Sequence, residues 1–188
     1  MKVFRKTFEY QTKGQFDFID VTDDIAGFLK DCEAQDGLVH VYCPHTTVAI
    51  KINEEEEGFT LDFKDFMSEL VPKTRYYRHN DLDIRDEKTL CEDISLCVNG
   101  DSHILQMLVG SASETIPLHA GKMALGRWQR IFMVEVDKGR PRRIEVSVMT
   151  AQPVEVDETK ISEASTEKAR SLAPHTEEQK SPKTSVTS

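Results

Sequence analysis

The spacing of apolar residues changes period along the chain. Val3, Phe8 and Tyr10 mark an opening strand, and residues 15–21 form a second after the Lys13-Gly14 turn. Ile25, Phe28, Leu29 and Cys32 then fall at i, i+3, i+4 and i+7. That spacing predicts a helix capped by Thr22, with Asp23 and Asp24 in its first turn and Gly37 closing the segment. Residues 38–43 and 47–52 are rich in β-branched side chains and read as strands flanking Pro44-His45-Thr46. Phe59, Phe63, Phe66, Met67 and Leu70 stripe a second helix, entered through the acidic run 54–57 and stopped by Pro72. From residue 104 onward the pattern predicts strands at 104–109, 115–118, 128–136 and 144–149, with hairpin composition in DKGRP (137–141). The fold class is therefore α+β: a mostly antiparallel β sandwich or barrel carrying two main helices.

Composition divides the chain in two. Of 24 Lys+Arg and 33 Asp+Glu, five and seven fall in residues 151–188, leaving 19 against 26 in residues 1–150. The last 38 residues have no aromatic, Gly or Cys. Their scattered Val154, Val156, Ile161 and Leu172 cannot offset the entropy of ordering them, so a disordered acidic tail is expected after a 1–150 domain. An acidic body with net charge −7 argues against nucleic-acid binding, which rests on phosphate neutralisation. No apolar run approaches the roughly 18 residues that span a bilayer, and the basic start has no apolar signal core behind it. Cys32, Cys43, Cys91 and Cys97 form no CxxC pair, which suits free thiols in a reducing cytoplasm.

Three histidines stand at loop–strand borders, where scaffolds present functional groups. His45 follows Pro44, His79 sits in Tyr77-Arg78-His79-Asn80-Asp81, and His103 follows Asn99-Gly100-Asp101. Converging, they would form an open site for zinc or a similar divalent ion; apart, they are polar residues satisfied by backbone and water. His40 and His119 read as ordinary strand and turn residues. Glu54 and Asp81 are the carboxylates placed to orient a ligand or act as general base, although Glu54 also opens a run typical of a solvated helix start. Ser111, Ser113 and Thr115 belong to a loop able to cradle phosphate, with Arg142 among the arginines that could add a guanidinium fork. Trp128, the single tryptophan, reads as core or intersubunit packing, with Gln129 facing the site because strand neighbours alternate.

Four blocks occur in order: HTTVAIKINE (45–54), YRHND (77–81), NGDSHILQMLVGSASETIP (99–117) and LGRWQRI (125–131). Together they resemble the YjbQ family, also called uncharacterised protein family 0047, over essentially residues 1–150. The resemblance implies a homotrimer of α+β subunits and an activity of the secondary thiamine-phosphate synthase type. In that reaction a hydroxymethylpyrimidine diphosphate is joined to a thiazole phosphate. It also implies a divalent metal, zinc first, held by His45, His79 and His103, with Asn53-Glu54 and His79–Asp81 matching the family's NE and HND. Ser111, Ser113 and Thr115 match its Ser/Thr-rich loop, and Trp128-Gln129 its LGxWQ block. The chain departs from the family in the Glu run and Gly58 after NE, and in the content of residues 91–98. The same centre would also suit a metal-dependent hydrolase of a phosphorylated metabolite, or a non-catalytic metal- or metabolite-binding trimer.

Ending the chain at Thr150 is expected to leave melting temperature and oligomeric state almost unchanged. A large fall in either, measured by calorimetry and sedimentation, would give the tail a structural role.

Overall fold

A computed structural model describes residues 1–90 and 93–150; the expected tail lies outside the described residues. Eight strands among these residues form two antiparallel sheets. Sheet A holds, in spatial order, β1 (Lys2–Gln11), β8 (Pro141–Thr150), β3 (Gly37–Tyr42), β5 (Ser113–His119) and β6 (Lys122–Met123). Sheet B holds β2 (Asp17–Asp20), β7 (Gln129–Glu135) and β4 (Val48–Glu54). The helices are α1 (Thr22–Asp31), α2 (Glu57–Leu70) and α3 (Gly100–Val109). The α+β reading holds, with three α-helices where the sequence predicts two. No described helix is long and apolar enough to cross a membrane.

Alternation explains how the sheets pack. In β8, Arg142, Ile144, Val146 and Val148 are buried while Arg143 and Glu145 face solvent, so one face of sheet A lies on the core. In β7 both faces are covered. Ile131 and Met133 join the core between the sheets, whereas Phe132 and Val134 join a second core with Met67, Tyr77 and Leu105. Two-sided burial is why residues 131–134 read as an unbroken apolar run. The second core is closed by edge-on aromatic rings, Phe18 meeting Phe63 at 5.5 Å and Phe132 at 5.8 Å between centroids.

Three sequence expectations are corrected. Residues 104–109 are the body of α3, not a strand. Leu105, Gln106, Met107 and Leu108 favour helix, and a six-residue segment with one polar member carries no decisive period. Gly110, at φ 88°, ends the helix in a conformation suited to glycine. The DKGRP segment makes no hairpin, because β7 pairs with β2 and β4 while β8 pairs with β1 and β3. It carries the chain from one sheet to the other. Among the cysteines, Cys32 and Cys43 are free, and burial pushes the Cys43 thiol up to about 11. Cys97 is disulfide-bonded, contrary to the expectation of free thiols throughout.

Three connections pass between the sheets at one end of the sandwich: β1 to β2, β3 to β4, and β7 to β8. Strand ladders cannot satisfy their polar groups there, so side chains do. Glu135 is fully buried and receives Arg142 at both carboxylate oxygens (2.6 and 2.9 Å), along with the Thr12 hydroxyl at 2.9 Å and the Asp137 N–H at 3.0 Å. Arg142 also donates to the Thr47 hydroxyl at 2.9 Å, and the Thr12 hydroxyl accepts the Arg140 N–H at 3.0 Å. One ion pair thus ties all three connections. Replacing Arg142 with Met would leave Glu135 buried without its countercharge, and a loss of about 3–5 kcal/mol in urea unfolding is expected. The double change Glu135→Leu with Arg142→Met should cost less than either single change; strict additivity would show that the pair is not coupled.

Candidate functional site

The tied end of the sandwich positions a histidine pair. Beyond α2, a single turn of 3₁₀ helix (Arg78–Asn80) presents His79, and α3 begins against it. The approach requires glycine: a Cβ on Gly100 would lie 2.8 Å from Tyr77 Cβ and 3.1 Å from His79 Cβ. The Gly100 N–H donates to Asn80 Oδ1 at 2.7 Å, closing the contact. His79 and His103 therefore meet with ring centroids 4.6 Å apart and planes inclined at 64°. Arg85 holds the turn from behind, donating to the carbonyls of His79 (3.1 Å) and Cys97 (2.7 Å).

Buried polar residues orient the first ring. Asn99 donates its amide N–H to Asp137 Oδ2 at 2.7 Å, which turns its carbonyl oxygen toward His79 Nε2 at 3.2 Å. A carbonyl accepts only, so neutral His79 carries its proton on Nε2 and keeps the Nδ1 lone pair open. Asp137 is buried too, held by Arg140 and by the Ser102 hydroxyl at 3.3 Å. Neither nitrogen of His103 has a hydrogen-bond partner among the described residues. Two half-buried imidazoles with unspent lone pairs fit a divalent ion, and the Asn99–Asp137 relay is the kind of support that fixes a ligand's tautomer.

The other expected residues are distributed elsewhere. His45 lies in the β3–β4 connection, where its Nε2 accepts the Arg143 N–H at 3.1 Å. No three His, Cys, Asp or Glu side chains are grouped as a metal site among the described residues, so one chain brings His79 and His103 together without His45. Asp81 closes the His79 turn and accepts the Tyr76 hydroxyl at 2.7 Å and the Asp83 N–H at 3.2 Å. Glu54 and Gln129 are register partners at the opposite end of sheet B. The six residue steps from Val48 to Glu54 span about 20 Å at roughly 3.3 Å each. Gln129 folds back to accept the Gly126 N–H at 2.8 Å. Ser111 donates to Glu114 at 2.8 Å, Thr115 pairs with His40 at 2.9 Å, and Ser113 pairs in register with Tyr42. Arg142 is committed to Glu135. Trp128 is 61 % exposed with Arg127 over its ring, so packing in the protomer core is corrected.

Asn99, Glu135 and Asp137 were not singled out by sequence reasoning, and Arg140 entered it only among the arginines able to add a guanidinium fork. A usable signal existed for two of them: Glu135 and Asp137 alternate at the end of a strand otherwise buried on both faces, where a carboxylate must have a partner.

A family model described as UPF0047 protein YjbQ-like matches residues 6–151. A UPF0047 protein of Archaeoglobus fulgidus is 39% identical over 139 residues, covering 74% of this chain and 96% of the relative. The UPF0047 protein YugU of Bacillus subtilis is 30% identical over 144 residues, covering 77% and 98%. Among solved structures, a YbjQ-like protein of unknown function from Sulfolobus solfataricus superposes with TM-score 0.68 at 28% identity, covering 80% of this chain and 99% of that one. A YjbQ/UPF0047-family protein from Clostridium acetobutylicum gives 0.61 at 28%, covering 78% and 99%.

Burial lowers the proton affinity of all three histidines; positive neighbours add to this at His45 (Arg142, then Arg143) and at His79 (Arg85), and the His79 ring adds to it at His103. The unfolded chain then binds more protons as pH falls below the ordinary histidine value of about 6.5. Stability from these groups is complete above that pH and declines as pH drops through it toward the folded-state values. In chelator-treated protein the melting temperature should fall from pH 7.5 to 5. The double variant His79→Asn, His103→Asn should show a shallower fall; an unchanged slope would remove these rings from the effect.

Proposed function

Because the chain belongs to the YjbQ-like UPF0047 family, we propose that it is a metal-assisted enzyme of small phosphorylated molecules, of the thiamine-phosphate synthase type, working as a homotrimer. The observation that carries this reading is the His79–His103 pair, oriented by Asn99 and Asp137 with lone pairs unspent. Imidazole nitrogen suits zinc, and rings with lowered proton affinity are neutral and able to ligate near pH 7. A divalent ion held there supplies a Lewis-acid contact to phosphate oxygens.

The chain's residues would do the rest. Asn99 and Asp137 keep the His79 tautomer, and Asp81, on the same turn, is the proposed carboxylate for orienting a water or a reacting group. Glu54 lies too far along β4 to serve the same pair from within one chain. In the joining reaction a bond forms between the thiazole nitrogen and the pyrimidine methylene carbon. The carbon–oxygen bond to diphosphate breaks, and diphosphate leaves with the electron pair. Such a step needs two fragments held close and cationic contacts for the departing charge.

His45 would complete the ligand set from a neighbouring copy, exchanging its bond to the Arg143 N–H for the ion. The α3 surface beside His103 supports an intersubunit location: Ile104, Met107 and Leu108 are exposed, Met107 by 78 %, and such an apolar face suits burial against another subunit.

The test is metal content by elemental analysis, without a histidine tag. His45→Ala and His79→Ala homotrimers should each lose metal. Trimers refolded from an equal mixture should regain about a quarter of the sites, because each shared site needs one intact contribution from each of two neighbours. Full retention of metal in the single variants would overturn the ligand assignment, and no recovery in the mixture would confine the site to one chain. Zinc-loaded protein given both phosphorylated fragments should yield thiamine phosphate by mass spectrometry; release of phosphate alone would favour hydrolysis.

A further inference from the structure

Beside the histidine pair, the sheet crossings leave a cleft of about 450 Å³. Its walls include Asn80 from the His79 turn, Asp101 and Ser102 from the first turn of α3, and Lys13, Lys73 and Lys138. The lysines come from three separate connections. Two are forced together by Gly139, where a Cβ would sit 2.6 Å from the backbone carbonyls of Thr12 and Lys13, so only glycine lets the β7–β8 connection lie against the β1–β2 connection. That contact places Lys13 and Lys138 on one rim, with Lys73 contributed from just beyond α2.

The charge of this cleft is unusual for a chain of net charge −9. None of the three ammonium groups forms an ion pair among the described residues; Lys138 donates to the Ser95 carbonyl. The two carboxylates present are already engaged, Asp137 by Arg140, Asn99 and Ser102, and Asp101 by Gln15 at 3.2 Å. Three cations, none in a close ion pair among the described residues although Asp93 lies near enough to Lys138 to feel its charge, come from different segments to one small concave space and match an anion with oxygens in several directions. The Ser111–Thr115 loop is a poorer candidate. Its nearest cation, Lys51, is paired with Glu114 at 3.3 Å, and the Ser111 and Thr115 hydroxyls are bonded to Glu114 and His40.

We propose that the cleft between Lys13, Lys73 and Lys138 binds the phosphate or diphosphate group of a small metabolite and holds it next to the His79–His103 pair. The proposal deepens the functional reading above and rests on it for the metabolite's identity, but binding at the cleft requires no metal and no turnover.

The experiment is calorimetric titration of inorganic pyrophosphate into the chelator-treated full chain at low salt. Wild type should bind, each of Lys13→Gln, Lys73→Gln and Lys138→Gln should weaken binding about tenfold, and the triple variant should show no heat. Lys51→Gln should bind as wild type. All three cleft lysines are exposed, and an unchanged melting temperature will confirm that the variants fold. The proposal is overturned if the chelator-treated wild type does not bind, if the triple variant binds as tightly, or if Lys51→Gln is as damaging as the cleft changes. Binding that appears only after zinc loading and survives the triple variant also overturns it, while leaving the metal reading intact. Binding lost in the triple variant, with no thiamine phosphate formed by the zinc-loaded wild type, supports the cleft and removes the synthase reading.

Discussion

The Glu135–Arg142 pair is the constraint around which this end of the molecule is arranged. A carboxylate with no exposed surface costs several kcal/mol to desolvate, and only close, two-point contact with a guanidinium can offset that. The remaining lone pairs and protons of the two groups are taken up by Thr12, Thr47 and the Asp137 N–H, one from each of the connections between the sheets. The pair therefore fixes where the three crossings lie. An apolar substitute of equal volume could fill the same space, but it would leave Thr12 and Thr47 without these partners.

From that anchor the geometry passes outward in short steps. Asp137 is bonded at its N–H to Glu135 and directs its own carboxylate to Asn99 and Ser102, so the start of α3 is referred to the same anchor. Asn99 then sets the His79 tautomer, and Gly100 permits the close approach that places His103 beside it. Each link is a hydrogen bond between groups with little freedom to move, which is how a site on loops acquires the precision of the strands beneath it. Gly139 plays the corresponding part on the other side, pressing two connections together and lining up their lysines.

How much of this could be read from the sequence depends on whether a residue's role is set by its neighbours in the chain or across the fold. The strand pattern of residues 144–149 and the 3.6-residue stripe of residues 25–32 are local, and both predict the element that forms. Residues 104–109 misled because a short apolar run suits either a strand or a helix in contact with a core, and Leu105 is the only fully buried member. The DKGRP segment misled for a different reason: its composition encodes a change of direction, while the sheet its strands join is decided by partners 75 or more residues away. Glu135 was passed over because in sequence it is one acidic residue among many. Its meaning comes from a strand covered on both faces, and that coverage depends on α2 and α3.

The scattering of the expected site residues has a physical consequence. His79 and His103 lie at one end of the sandwich with Asp81, His45 stands on another connection under Arg143, and Glu54 and Gln129 sit across from each other at the far end of sheet B. Side chains separated by about 20 Å of strand cannot converge through rotamer changes, which move a polar tip by only a few ångströms. A single centre containing all of them therefore requires a second copy to supply what the first lacks. The exposed Ile104, Met107 and Leu108 give such a copy an apolar surface adjoining His103. Assembly would then do more than cover apolar area. A protomer alone would hold an oriented histidine pair and a cationic cleft, with no third imidazole grouped with them among the described residues, so ligand binding at the cleft and the proposed metal binding at a shared site would depend differently on assembly.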